Sequence, residues 1–93
     1  MIGTIGIIGA GQMGNGIAHV CALAGYPVIL VDNREDALSK AMTTMARNMD
    51  RQVNRSIVSS DDRDAALARV TASTHYESLG QADLVIEAVT EKE

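Results

Sequence analysis

The apolar positions of this chain alternate between two periods. Residues 2 to 8, Val28 to Val31 and Leu84 to Val89 are short, nearly continuous apolar runs, as expected of strands buried on both faces. Val70 to Ser73 is a shorter strand of the same kind. Between the first two runs, Gln12 to Ala24 carries Met13, Ile17, Val20 and Ala24 at helical spacing, and Gly25 with Pro27 ends that helix. After the second run, Asn33 is expected to cap a long helix with Glu35 and Asp36 in its first turn. Leu38, Met42, Met45, Met49 and Val53 then recur at steps of 4, 3, 4 and 4, a single apolar stripe. Ser59 or Ser60 is placed to cap a shorter helix from Asp61 to Arg69, with Ala65, Ala66 and Leu67 as its apolar content.

Strands that alternate with helices imply an α/β fold with a parallel sheet and right-handed crossovers. The expected strand order is 3-2-1-4, with a ligand crevice at the C-terminal ends of strands one and four. The helical stretch between Asn33 and Val70 is longer than one crossover helix requires. Its methionines read as core packing, because methionine fills irregular gaps. A helical pair of this length is expected to project from a small sheet as an arm.

Composition narrows the class. The chain has 93 residues, enough for one domain, and 46% of them are hydrophobic, with no Phe or Trp. Its core must therefore be aliphatic. The formal net charge is −4 and the basic residues are scattered, which argues against a nucleic-acid partner. Cys21 is the sole cysteine, so no internal disulfide can form and a reducing, cytoplasmic compartment is expected. The N-terminal apolar run lacks a basic lead-in and is broken by glycines, unlike a secretory signal. No apolar stretch is long enough to span a bilayer, so no membrane association is expected.

The chemistry-bearing feature lies at the end of the first strand, where Gly9-Ala10-Gly11-Gln12-Met13-Gly14 leads into the first helix. Such a loop suits a dinucleotide. Gly9 permits the tight turn, Gly11 lets a pyrophosphate come close, and Gly14 lets the helix pack on the strand. The helix N-terminus offers unpaired N–H groups and partial positive charge to the phosphates. Asp32 ends the second strand 18 residues past Gly14, close to the position of the acid that accepts from the ribose hydroxyls. These features together give a Rossmann-type doubly wound parallel sheet, first half, with a long helical excursion between strands 2 and 3. Residues 1–93 are read as the N-terminal portion of that domain, with its second half and any substrate domain lying elsewhere.

The segment from Gly9 to Gly25, with its Gly-Ala-Gly-Gln-Met-Gly-Asn-Gly-Ile-Ala core, resembles the opening of the NAD-dependent 3-hydroxyacyl-CoA dehydrogenases, including the 3-hydroxybutyryl-CoA enzymes. Leu38 to Ala41 leading into Arg51-Gln-Val-Asn-Arg55 resembles that family's helical arm, and Ala82 to Val89 with Glu91 its fourth strand and following turn. The resemblance implies oxidation of an L-3-hydroxyacyl-CoA to the 3-ketoacyl-CoA with NAD, in fatty-acid metabolism. It assigns Gly9 to Gly14 to the pyrophosphate, Asp32 and Asn33 to the adenosine ribose, and Ala88 and Glu91 to the nicotinamide end. It assigns Asn48 and Arg55 to the coenzyme A part of an acyl-CoA substrate. Ser56 departs from the glycine common at its position. The family's catalytic histidine and glutamate have no counterpart in these residues, so no catalytic residue is assigned here, and no metal is implied. The parent enzyme is expected to be a homodimer through a C-terminal domain, and these residues alone a monomer of marginal stability.

His19, inside the first helix and about two turns from the phosphate site, reads as a polar helix position, His75, with no acid placed to orient it, as structural, and Cys21 as a packed thiol. Asp32 favours NAD, because its carboxylate would repel a 2′-phosphate. Arg34 is the complication, since the β-hydroxyacid dehydrogenases pair a similar Asn-Arg sequence with NADP. Three readings stay open at this point: the hydroxyacyl-CoA enzyme, a β-hydroxyacid dehydrogenase domain, and a non-catalytic dinucleotide-binding module on the same fold.

Overall fold

The computed structural model describes residues 3–88. Its elements follow the order β1 (Ile5–Ile8), α1 (Gln12–Leu23), β2 (Val28–Val31), α2 (Glu35–Asn54), α3 (Ser60–Ala68), β3 (Val70–Ser73), a 3₁₀ segment (Tyr76–Gln81) and β4 (Leu84–Glu87). The strands form one parallel sheet in the order β3-β2-β1-β4. Its register sets Ile5 opposite Val28 and Leu84, and Val28 opposite Val70. The topology is the expected one. The 3₁₀ segment was not anticipated from the sequence, which has no apolar periodicity there.

The core is aliphatic and lies between the sheet and the helical layer. Ile7, Leu30, Val28, Val31, Met45 and Met49 are its largest fully buried side chains. Burying each contributes on the order of 1.5–3 kcal/mol. Successive residues of β1 face opposite layers. Ile7 meets α1 at Gly14, whereas a Cβ on Gly6 would stand 2.6 Å from Leu79 of the 3₁₀ segment on the other face. The missing side chain at Gly6 is what admits Leu79.

Helix α1 differs from expectation in the face it buries. Met13 and Val20 are 48% and 68% exposed, and Ala24 is also exposed, while Gly14, Asn15, Ala18 and Ala22 are buried. The close approach at Gly14 puts Ala18 and Ala22 on the innermost face, with Ile17 and Leu23 packed only partly against the core, so counting large apolar residues shifts the stripe. Asn15, a buried polar residue, is satisfied by donating from Nδ2 to the Ala41 carbonyl of α2 at 3.2 Å.

The stripe on α2 holds at its centre, with Leu38, Met45 and Met49 buried and Met42 and Val53 partly so. The helical pair does not stand away from the fold as an arm. Helix α3 turns back against α1 and α2, which encloses the methionines and leaves the turn at 54–57 exposed. Both long helices end in a Schellman arrangement. In α1 the Gly25 N–H reaches Ala22 O and the Tyr26 N–H reaches Cys21 O, with Gly25 at φ 104°. In α2 the Ser56 N–H reaches Val53 O and the Ile57 N–H reaches Gln52 O, with Ser56 at φ 61°. The serine that replaces the usual glycine keeps the turn and holds it in a left-handed conformation that L side chains disfavour.

Candidate dinucleotide site

The loop from Gly9 to Gly14 is held at both ends. The Gly9 N–H donates to Val31 O at 2.7 Å, and Gly9 takes φ 104°, which turns the chain out of β1. A Cβ on Gly14 would lie 1.8 Å from the Gly9 carbonyl oxygen, so the first turn of α1 can sit on this loop only without a side chain there. Gly11 is different. A Cβ on Gly11 would meet no protein atom within 4 Å, so the protein leaves that space open. The open space is the cradle that a diphosphate needs.

Among the described residues the N–H groups of Gly11, Gln12, Met13 and Gly14 have no hydrogen-bond partner, and the first helical bond is Asn15 N–H to Gly11 O at 2.9 Å. No acidic residue occupies the first turn of α1, so its dipole is uncompensated and available to an anion. The Ala10 amide, by contrast, is engaged. It donates to Asp32 Oδ2 at 2.9 Å. The carboxylate at the end of β2 thus fixes the glycine loop to the neighbouring strand.

Asp32 makes a second bond, accepting the Arg34 N–H at Oδ1 at 2.9 Å. This local turn sets the chain's direction before α2, and the helix accordingly starts one residue later than expected, with Arg34 rather than Asn33 at its N-cap. Asn33 is exposed beside Asp32. A carboxylate has about four lone-pair sites, so Asp32 keeps acceptor capacity for a ribose diol. Ala88 is buried at the end of β4, its N–H on Ile8 O at 2.8 Å, across the crevice from the glycine loop. Glu91 lies outside the described residues.

From the glycine loop a groove of about 680 Å³ runs between α1 and α2. Gly11 and Gln12 line one end, Arg34 and Lys40 its flank, and Thr44 and Asn48 follow on α2. Lys40, Thr44 and Asn48 are four residues apart, which puts them on one helix face, a spacing visible in the sequence but not used above. Asn48 accepts from the Arg51 guanidinium at 3.3 Å. Arg55 does not line the groove; it is the exposed C-cap of α2, seven residues beyond Asn48.

Residues 4–93 match the family model described as 3-hydroxyacyl-CoA dehydrogenase, NAD binding domain. The chain belongs to this family. Its curated relatives include a 3-hydroxybutyryl-CoA dehydrogenase of Bradyrhizobium diazoefficiens, 47% identical over 93 residues, covering 100% of this chain and 32% of the relative. Another, from Mycobacterium tuberculosis and also called 3-hydroxybutyryl-CoA dehydrogenase, is 38% identical over 89 residues, covering 96% of this chain and 31% of that one. Among solved structures, (S)-3-hydroxybutyryl-CoA dehydrogenase from Ralstonia eutropha superposes with a TM-score of 0.95 at 44% identity, covering 100% of this chain and 33% of that one. The chain therefore spans about a third of the length of the relatives it matches. NAD is the cofactor for which the family's domain is described. Membership decides against the β-hydroxyacid dehydrogenase reading of the Asn33-Arg34 pair.

The remaining polar groups have structural work. His19 Nε2 is 2.8 Å from Gln52 Oε1, a link between α1 and α2. Burial pushes the Cys21 thiol up, which favours its protonated form. His75 is exposed beyond β3, its N–H on Ser73 Oγ at 3.0 Å. The described residues contain no cluster of three or more His, Cys, Asp or Glu that could hold a metal, and no helix long and apolar enough to cross a membrane.

Proposed function

We propose that this chain is the cofactor-binding portion of an enzyme that oxidises an L-3-hydroxyacyl-CoA to the 3-ketoacyl-CoA. NAD, when bound, supplies the hydride acceptor. The residues here bind and orient. The amides of Gly11 to Gly14 and the dipole of α1 receive the pyrophosphate, with Gly9 and Ala10 shaping the turn. Asp32, with Asn33 beside it, accepts from the adenosine ribose while anchoring the loop, and Ala88 with Glu91 borders the nicotinamide end. Asn48 contributes hydrogen bonds and Arg55 a positive charge to the anionic coenzyme A moiety. Catalytic groups and a dimerising domain are assigned to further parts of the enzyme, and these residues by themselves to a monomer. A cytoplasmic location is supported by the single cysteine, which forms no internal disulfide.

The observation that carries this reading is the set of four unpartnered amides around a space the protein leaves open at Gly11. Calorimetric titration with NADH and then with acetoacetyl-CoA tests it. Saturable NADH binding is expected, and Arg55→Ala should weaken acetoacetyl-CoA binding by about three- to tenfold while leaving NADH affinity in place. Absence of NADH binding refutes the cofactor assignment. Acetoacetyl-CoA binding indifferent to Arg55→Ala refutes the substrate role of that residue alone.

A further inference from the structure

The N-termini of α1 and α2 both open toward the groove, yet they carry opposite electrostatics. Helix α1 has no acid in its first turn, whereas α2 has Glu35 and Asp36 there, three and four residues after Asp32. A phosphate attached to the adenosine ribose at its 2′ position would have to settle near Asp32, at the start of α2. A helix N-terminus there would ordinarily welcome it, and so would Arg34. Neither is free to do so. Arg34 Nη2 lies 3.1 Å from Asp36 Oδ2, and both side chains line the same groove as Gly11. The hydrogen bond and charge of Arg34 hold the Asp36 carboxyl below the usual carboxylate range, so the pair is ionised at neutral pH. The Arg34 backbone N–H is also engaged, by Asp32 Oδ1 at 2.9 Å.

We propose that Asp36 is a specificity-determining residue that, by pairing with Arg34 and adding its charge beside Asp32, excludes dinucleotides phosphorylated at the ribose 2′ position. This rests on the NAD-binding reading above and adds to it a second selector beyond Asp32. The pair is exposed, 70% and 74% for the two side chains, so its effect is modest and reversible by a single substitution. Removing Asp36 subtracts one repulsive charge and releases a guanidinium that can turn toward a phosphate dianion.

The test is parallel titration of wild type, Asp36→Asn and Arg34→Gln/Asp36→Asn with NADH and NADPH, read by fluorescence polarisation of the reduced nicotinamide. Thermal melts check that each variant is folded. Asp36→Asn should raise NADPH affinity about three- to tenfold and leave NADH affinity within about twofold. The double variant should lose the NADPH gain, because Arg34 is the group released. Unchanged NADPH affinity in Asp36→Asn overturns the proposal. So does a gain undiminished in the double variant, which would point to Lys40 on the same flank instead. Wild type that binds neither dinucleotide defeats the cofactor reading itself, a result distinct from wild type that binds NADH while Asp36→Asn gains nothing for NADPH.

Discussion

Gly11 and Gly14 belong to one motif, and the structure separates their roles well enough for substitution to do so in solution. At Gly14 a methyl group would stand 1.8 Å from the Gly9 carbonyl oxygen and 2.9 Å from the carbonyl carbon, backbone atoms that cannot rotate aside. Ordinary contact begins near 3.4 Å, so the first turn of α1 and the loop must part by more than an ångström. That movement strains the Gly9 N–H bond to Val31 and the Ala10 N–H bond to Asp32. A cost of about 2–4 kcal/mol follows for Gly14→Ala, toward the upper end for overpacking because the obstacle is backbone. In a domain of this size that lowers Tm by about 10–30 °C. At Gly11 a methyl group meets no protein atom within 4 Å, and φ is −76°, which alanine adopts without strain. The poorer N-cap and the smaller unfolded-state entropy of alanine nearly cancel, so Gly11→Ala should change stability by no more than about 0.5 kcal/mol. The same methyl occupies the cradle, and NADH affinity should fall by about ten- to a hundredfold. Circular-dichroism melts and NADH polarisation measure the two quantities independently. Gly11→Ala that binds NADH like wild type, or Gly14→Ala that melts like wild type, would refute this division of labour.

Two further perturbations address other parts of the fold. Ser56→Gly relieves the left-handed strain at the end of α2, offset in part by a more flexible unfolded chain. A net gain of about 0.5–1 kcal/mol and a Tm rise of about 2–8 °C are expected, and a lower Tm would show that the serine is not strained. Asp83 accepts the N–H groups of Gly3 and Thr4, both at 2.8 Å, and these bonds hold its carboxyl below the usual range. A depressed folded pKa gives stability that is present above the ordinary carboxylate range and lost as pH falls through the folded value. Asp83→Asn should therefore melt below wild type at neutral pH, with the gap closing in acid; a gap independent of pH would contradict it.

Much of this molecule is written in local pattern. Strand β2 begins and ends where its apolar run does, because all four of its residues are buried and no polar position blurs its limits; β3 keeps the expected bounds although Thr71 and Ala72 are exposed. Ser59 caps α3 through Oγ on the Asp62 N–H at 3.0 Å, a bond between near neighbours that needs no tertiary partner. The glycine spacing and Asp32 are likewise legible, since each answers a constraint within one β-α-β unit. The strand order β3-β2-β1-β4 is the one that the glycine loop and its mononucleotide-binding half imply.

Tertiary structure decided what depends on distance across elements. That α1 buries its small face, with Met13 and Val20 outward, is set by how closely the helix must approach β1, a separation absent from its own sequence. That Ala10 surrenders its amide to Asp32, residues far apart in the chain, became visible only once β1 and β2 lay side by side. The return of α3 onto α1 and α2, which encloses Met45 and Met49, was settled by the three helices together, since periodicity marks a face for burial without naming what covers it.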